Sequence, residues 1–162
     1  MEKNEKYTDA VIEGILRKGD EFVKIWEEKR MMKLKDRIFV IKGDPNVGKT
    51  TASKILLTVL LYNGATLISY RSLGSDFIAV VQYLELRIAI CSMGDVLGKV
   101  EENIKIHIEC DIVVVTSRNY ASFDKRIGVF QPRIYPKVLT DCAGIMDYVK
   151  QIYNDINAIA KP

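Results

Sequence analysis

The chain has 162 residues, of which 48% are hydrophobic and 28% are charged. This composition is typical of one soluble domain whose core can form without disulfides or a structural metal. The formal net charge of +3 is too small to indicate a nucleic-acid or membrane partner. We expect no signal peptide, since the first ten residues lack an apolar segment. The three cysteines are Cys91, Cys110 and Cys142, and no two of them form a CxxC pair. We therefore expect reduced thiols in the core and a cytoplasmic location.

The first predicted element is an amphipathic helix from Thr8 to about Met32. Apolar side chains recur there at helical spacing among charged residues, although two glycines leave room for a break. We expect residues 1–36 to form a helical extension, packed onto the rest of the chain by Trp26 and the Met31-Met32 pair. Residues 37–162 are expected to form the domain itself.

A strand, a helix and a second strand follow. The short apolar run Arg37–Lys42 is dense in β-branched and aromatic residues, which predicts a buried strand. Apolar residues recur at helical spacing from Lys49 to about Tyr62, and Asn63-Gly64 closes that helix. Thr66–Tyr70 predicts the second strand.

The segment Asp76–Leu86 is open to two interpretations. It can form a helix capped by Ser75 or Asp76, or it can form one arm of a hairpin that turns near Leu84-Glu85. We favour the hairpin, because the phenylalanine, isoleucine and valine residues at its start prefer strands.

The remaining elements complete an alternating pattern. Leu86–Cys91 and Asp111–Thr116 predict buried strands on either side of a helix from Val96 to about Glu109. Asn119–Lys137 holds glycine, prolines and basic residues, which predicts a long basic loop that can contain a short hairpin. Thr140 or Asp141 can cap a last helix that runs to about Ala160.

This order of elements predicts an α/β fold of three layers. A mostly parallel sheet is flanked by helices, and it includes one antiparallel hairpin if Asp76–Leu86 is extended. No repeat or low-complexity segment interrupts the order.

Residues Gly43–Thr50, which we call the glycine loop, match the pattern G-x-x-x-x-G-K-[ST] between a predicted strand and a predicted helix. The glycines let the backbone curl until several N–H groups point at a phosphate, beside the positive end of the helix dipole. Lys49 can then reach the β- and γ-phosphates, and the Thr50 hydroxyl is a ligand that suits Mg²⁺.

In these residues the sequence resembles the P-loop NTPase superfamily, over about residues 37–116. The resemblance implies that ATP, or another nucleoside triphosphate, binds with Mg²⁺. The binding residues that it implies are Gly43, Asp44, Pro45, Asn46, Val47, Gly48, Lys49, Thr50 and Thr51.

The resemblance also implies a carboxylate at the end of a neighbouring strand, which holds Mg²⁺ through water. In addition to the Thr50 hydroxyl, two carboxylates are candidate metal ligands. Asp95 follows the strand that ends near Ser92, and Asp76 follows the second strand. Each can instead be an ordinary cap or turn carboxylate, so the choice between them stays open.

Kinases of this superfamily bring arginines from a lid over the transferring phosphate, where negative charge grows in the transition state. Arg118, at a strand end, and Arg126, in the basic loop, are therefore the candidate catalytic residues besides Lys49. The basic loop can equally be a solvated surface segment. We expect the lone His107 to be structural.

The leading hypothesis is phosphoryl transfer or hydrolysis with Mg²⁺ and ATP, with a small molecule as the possible acceptor. The sequence contains no Asn/Thr-Lys-x-Asp motif to read a guanine base, so adenine is the default. One alternative is a module that binds a protein or nucleic-acid partner when a nucleotide is bound, with little turnover. The others are a GTPase-like protein without the guanine motif and a loop that binds phosphate without catalysis.

Overall fold

The computed structural model describes residues 8–33 and 35–161, except for the side chains of residues 30–33. The chain divides into two units, residues 1–33 and residues 34–162, and each is described by itself. In the described part of the chain, no helix is long and apolar enough to cross a lipid bilayer.

The first unit contains one uninterrupted helix, α1 (Asp9–Lys33), as predicted, and its two glycines do not break it. Large apolar side chains on α1 are exposed, by 43% at Ile12 and by 73% at Phe22. Trp26 is also exposed. The packing of α1 onto the domain stays a prediction, and the Met31 and Met32 side chains on which it partly rests lie outside the described residues.

The second unit alternates strands and helices. Its strands are β1 (Ile38–Lys42), β2 (Thr66–Leu73), β3 (Asp76–Tyr83), β4 (Leu86–Cys91), β5 (Ile112–Ser117) and β6 (Arg133–Pro136). Its helices are α2 (Lys49–Tyr62), α3 (Leu97–Ile106), α4 (Phe123–Arg126) and α5 (Cys142–Ala160), and one 3₁₀ turn spans Gly128–Phe130.

The described residues form a six-stranded sheet in the order β2-β3-β4-β5-β1-β6. Strands β4, β5, β1 and β6 are parallel, whereas β3 runs antiparallel to both of its neighbours. The predicted α/β class with a mostly parallel sheet is therefore confirmed. The hairpin interpretation of Asp76–Leu86 is also confirmed, with its turn at Leu84 and Glu85, and the helix alternative is wrong. The hairpin between β2 and β3 adds a second antiparallel connection.

The segment Asn119–Lys137 is more ordered than predicted. It contains α4, the 3₁₀ turn and β6, which pairs in parallel with β1 from Phe39 to Lys42. The long-loop prediction is wrong because β6 is only four residues long and owes its stability to tertiary contacts. Tyr135 is buried, and its ring centroid lies 5.4 Å from that of Phe39.

Helices α2 and α5 cover one face of the sheet and bury the main core against it. Leu56 and Leu60 of α2 pack there with Ile152 and Ile156 of α5. The last helix is present as predicted, and one of its faces lies in the core. Cys91 and Cys110 are buried as predicted, but the exposed Cys142 is not a core thiol because it begins α5 at the surface.

The N-terminus of α5 is capped by Asp141, whose Oδ1 accepts a hydrogen bond of 2.8 Å from the Gly144 N–H. Because this bond satisfies a donor that the helix leaves unpaired, Asp141→Ala should lower the free energy of unfolding by about 1 kcal/mol. The matched control is Thr140→Ala, since Thr140 is equally exposed but donates only to the Asp141 carbonyl. Urea denaturation of the three proteins measures the difference. Equal midpoints for the two variants would contradict the assigned cap.

Candidate functional site

A cleft of about 410 Å³ lies at the edge of the sheet where the parallel strands end. Because β3 runs antiparallel to β4, the first residue of β3 reaches the same edge as the last residues of β4 and β5. The cleft is lined by Pro45, Asn46, Gly48, Lys49, Thr50, Thr51, Ser75, Asp76, Ser92, Gly94, Asp95, Thr116 and Arg118.

The glycine loop connects β1 to α2 and forms one wall of the cleft. Asn46 and Gly48 have positive φ angles of 62° and 91°, so the backbone turns sharply before α2 begins at Lys49. No described residue accepts a hydrogen bond from the backbone N–H groups of Asn46 to Thr51. These donors and the helix N-terminus together form a concave surface that suits an anion.

Gly43 fixes the start of the loop. Its N–H donates to the Ser117 carbonyl at 3.0 Å, and a Cβ at this position would collide with the Lys137 carbonyl. The close approach of the chains that follow β1 and β6 therefore requires a glycine here. A residue with a side chain would push β6 and the loop apart.

The Lys49 ammonium is hydrogen-bonded to the backbone of the glycine loop. Lys49 is only 8% exposed, and its Nζ donates to the Gly43 carbonyl at 2.9 Å and the Asp44 carbonyl at 2.6 Å. Burial lowers the pKa of Lys49, and the nearby Arg118 charge lowers it further. Since an ammonium has three donors and two are used here, the third can serve a bound anion.

Three oxygen atoms gather on the floor of the cleft. The Thr50 hydroxyl donates to Asp76 Oδ1 at 3.4 Å, and the Ser92 hydroxyl lies 3.1 Å from the same oxygen. Ser92 is held in turn by the Phe77 N–H, which donates to its hydroxyl at 2.9 Å. Of the two predicted metal carboxylates, Asp76 is thus the one that lies beside Thr50.

Asp95 also lines the cleft, but its carboxylate is paired with Arg118. Both Arg118 Nε and Nη2 lie within hydrogen-bond distance of Asp95 Oδ1, at 3.0 and 2.9 Å. The Asp95 side chain is 71% exposed, so this pair adds little stability. Arg118 therefore reaches the cleft as predicted.

The structure does not bring Arg126 to this cleft. Its Nε and Nη2 each lie 2.8 Å from Glu101 Oε2, and it borders a different, shallow depression beside α3. The short helix α4 fixes Arg126 there, so its catalytic role stays a prediction without a contact to support it. Gly43, Asp44 and Val47 shape the glycine loop without lining the cleft. His107 ends α3, where its Nδ1 lies 2.8 Å from the Asn103 carbonyl oxygen.

Two residues near the cleft have features that the sequence interpretation missed. Thr116, 2% exposed, lines the cleft, and its Oγ1 is buried without a hydrogen-bond partner among the described residues. Lys137, 3% exposed, places its ammonium against the glycine loop. Thr116 was signalled by its position at a predicted strand end, whereas Lys137 was hidden because β6 was taken for a loop.

Comparisons with known proteins identify no relative of this chain. No protein-family model, curated protein or solved structure matches this chain. Among the described residues, no group of three or more His, Cys, Asp or Glu side chains could hold a metal ion alone.

Proposed function

We propose that this protein binds a nucleoside triphosphate with Mg²⁺ in the cleft and hydrolyses or transfers the terminal phosphoryl group. The row of N–H groups from Asn46 to Thr51, which have no acceptor among the described residues, surrounds the Lys49 ammonium and carries the proposal. Such a row would leave six backbone donors unpaired unless an anion or water accepted from them. A polyphosphate offers several acceptors at the required spacing.

The oxygen atoms on the floor of the cleft fit Mg²⁺. This ion prefers hard oxygen ligands, retains several waters and is usually shared with substrate phosphates rather than enclosed by protein. The Thr50 hydroxyl would bind it directly and Asp76 would hold one of its waters, since Asp76 Oδ1 lies 3.4 Å from Thr50 Oγ1. The ion supplies charge neutralisation between the β- and γ-phosphates.

Arg118 and Thr116 complete the proposed site. The exposed Asp95 partner can be exchanged for a phosphate oxygen, so the Arg118 guanidinium can neutralise charge that grows on the transferring group. Thr116 lines the same cleft, and its buried hydroxyl has no hydrogen-bond partner among the described residues.

A panel of ATP, GTP, CTP and UTP, each with and without Mg²⁺, tests the proposal by thermal unfolding and by phosphate release. At 100 times the dissociation constant a ligand adds about 2.7 kcal/mol of stability, so the midpoint should rise by about 4 °C or more. We expect the largest rise with ATP and Mg²⁺. A larger rise with GTP would favour the GTPase-like alternative, and no rise with any nucleotide would contradict the proposal.

A second candidate function is a nucleotide-dependent interaction module. The exposed apolar side chains of α1 support it, because an apolar surface on a 25-residue helix suits a protein partner. This candidate predicts nucleotide binding without appreciable phosphate release. The first candidate predicts release that is either intrinsic or dependent on an added acceptor.

A further inference from the structure

Lys137 is an unusual lysine because it is buried without an anionic partner. It is only 3% exposed, and among the described residues no carboxylate lies within ion-pair distance of it. Its Nζ donates instead to the Val47 carbonyl at 2.9 Å and to the Val138 carbonyl. Burial lowers the pKa of Lys137. The Tyr148 ring centroid lies 5.5 Å from Nζ, so the ammonium is held by two backbone carbonyls and an aromatic face rather than by a carboxylate.

The backbone of Lys137 places this ammonium beneath the glycine loop. The Lys137 N–H donates to the Lys42 carbonyl at 2.7 Å, which extends the pairing of β6 with β1 by one residue. Lys137 therefore lies beside Gly43, and its side chain reaches from there to the far end of the loop. A Cβ built on Gly48 would lie 3.8 Å from Lys137 Nζ, so the ammonium is directly behind this residue.

The bond to Val47 fixes the direction of the next N–H group. The Val47 carbonyl and the Gly48 N–H belong to one planar trans peptide unit, in which they point in opposite directions. Since Lys137 holds the carbonyl from behind the loop, the Gly48 N–H is directed away from Lys137. Gly48 lines the cleft, and its φ of 91° is a conformation that glycine adopts without steric strain.

We propose that Lys137 is a positioning residue, which holds the Val47–Gly48 peptide so that its N–H faces a phosphate in the cleft. This inference rests on the proposed function, since it concerns how the same cleft binds its anion. Lys137 itself does not touch the ligand. Its buried charge is retained because the peptide would otherwise be free to turn its carbonyl toward the phosphate, where an acceptor repels an anion.

The test is Lys137→Met, which removes the ammonium and keeps an unbranched stem. Titration calorimetry with Mg²⁺ and ADP, at a temperature where each protein is fully folded, should give about tenfold weaker binding than in the wild type. In amide NMR spectra, the shift of the Gly48 N–H on adding ADP should be reduced. The matched control is Lys150→Met, on the exposed surface of α5, which should change neither measurement.

A purely structural lysine would change the stability of Lys137→Met but leave the affinity and the Gly48 shift of its folded molecules unchanged. That result overturns the inference while the wild type still binds ADP. If the wild type binds neither ADP nor ATP, the proposed function itself has failed. Should Lys137→Met not fold, Lys137→Gln offers a neutral donor to the carbonyls, and we expect it to weaken ADP binding by about threefold or more. Unchanged affinity in that variant would also overturn the inference.

Discussion

Replacing Lys49 by alanine is expected to weaken nucleotide binding by about 10- to 100-fold or more and to reduce phosphate release with it. The ammonium has one donor left for a phosphate after binding the Gly43 and Asp44 carbonyls, and it is the buried cation of the glycine loop. Charged hydrogen bonds contribute about 1.5–3 kcal/mol each, so losing them weakens affinity by about 10- to 100-fold. The loop also loses the two hydrogen bonds from Lys49 to its own carbonyls, which should weaken binding further. Binding of ATP with Mg²⁺ is measured by titration calorimetry.

The matched control for Lys49→Ala is Lys54→Ala. Lys54 lies on the exposed side of the same helix, and the Thr58 hydroxyl donates to its backbone carbonyl. The Lys54→Ala variant should bind ATP with the affinity of the wild type. If Lys49→Ala retains wild-type affinity while folded, the ammonium does not serve the ligand and the loop has another role.

Replacing Asp76 by asparagine is expected to weaken the binding of Mg²⁺ without disturbing the fold. Asparagine has the same shape and can still accept from the Ser92 and Thr50 hydroxyls, but it lacks the negative charge that holds a metal-bound water. Substitution of a residue that orients a metal ligand typically lowers metal affinity by about 10- to 100-fold. The concentration of Mg²⁺ that gives half-maximal phosphate release should therefore rise by about tenfold or more.

Asp95→Asn is the matched comparison for Asp76→Asn. Asp95 is highly exposed and already paired with Arg118, so its loss should shift the Mg²⁺ dependence by less than about threefold. The reverse ranking, with Asp95→Asn as the more damaging change, would reassign the metal carboxylate. If neither variant alters the Mg²⁺ dependence, the metal assignment is wrong.

The choice between Asp76 and Asp95 illustrates what the sequence could not decide. Both residues follow predicted strands, and their local patterns are equally compatible with a cap or a turn. The position of Asp76 beside Thr50 comes from strand order, because β3 pairs antiparallel with β4 and so brings its first residue to the cleft. Strand pairing depends on contacts between distant residues, which no local pattern encodes.

The glycine loop and its flanking elements could be predicted because their signals are local. The strand, the glycines and the helix follow one another within about 25 residues, and β1 and α2 lie where the pattern indicated. Strand β6 gave no such signal, since a four-residue strand is too short to show a period, and its contacts are with the distant β1, including that of Tyr135 with Phe39. Missing β6 concealed Lys137, and the short helix α4 similarly directed Arg126 to Glu101 rather than to the cleft.

The central claim is that the cleft binds the phosphates of a nucleotide, and a crystal structure with Mg²⁺ and a non-hydrolysable ATP analogue tests it most directly. We predict that the phosphates accept hydrogen bonds from the N–H groups of residues 46–51 and from Lys49. The metal should contact the Thr50 hydroxyl, with Asp76 bound to one of its waters. An analogue bound elsewhere on the chain, or a cleft without it at saturating concentration, would contradict the account.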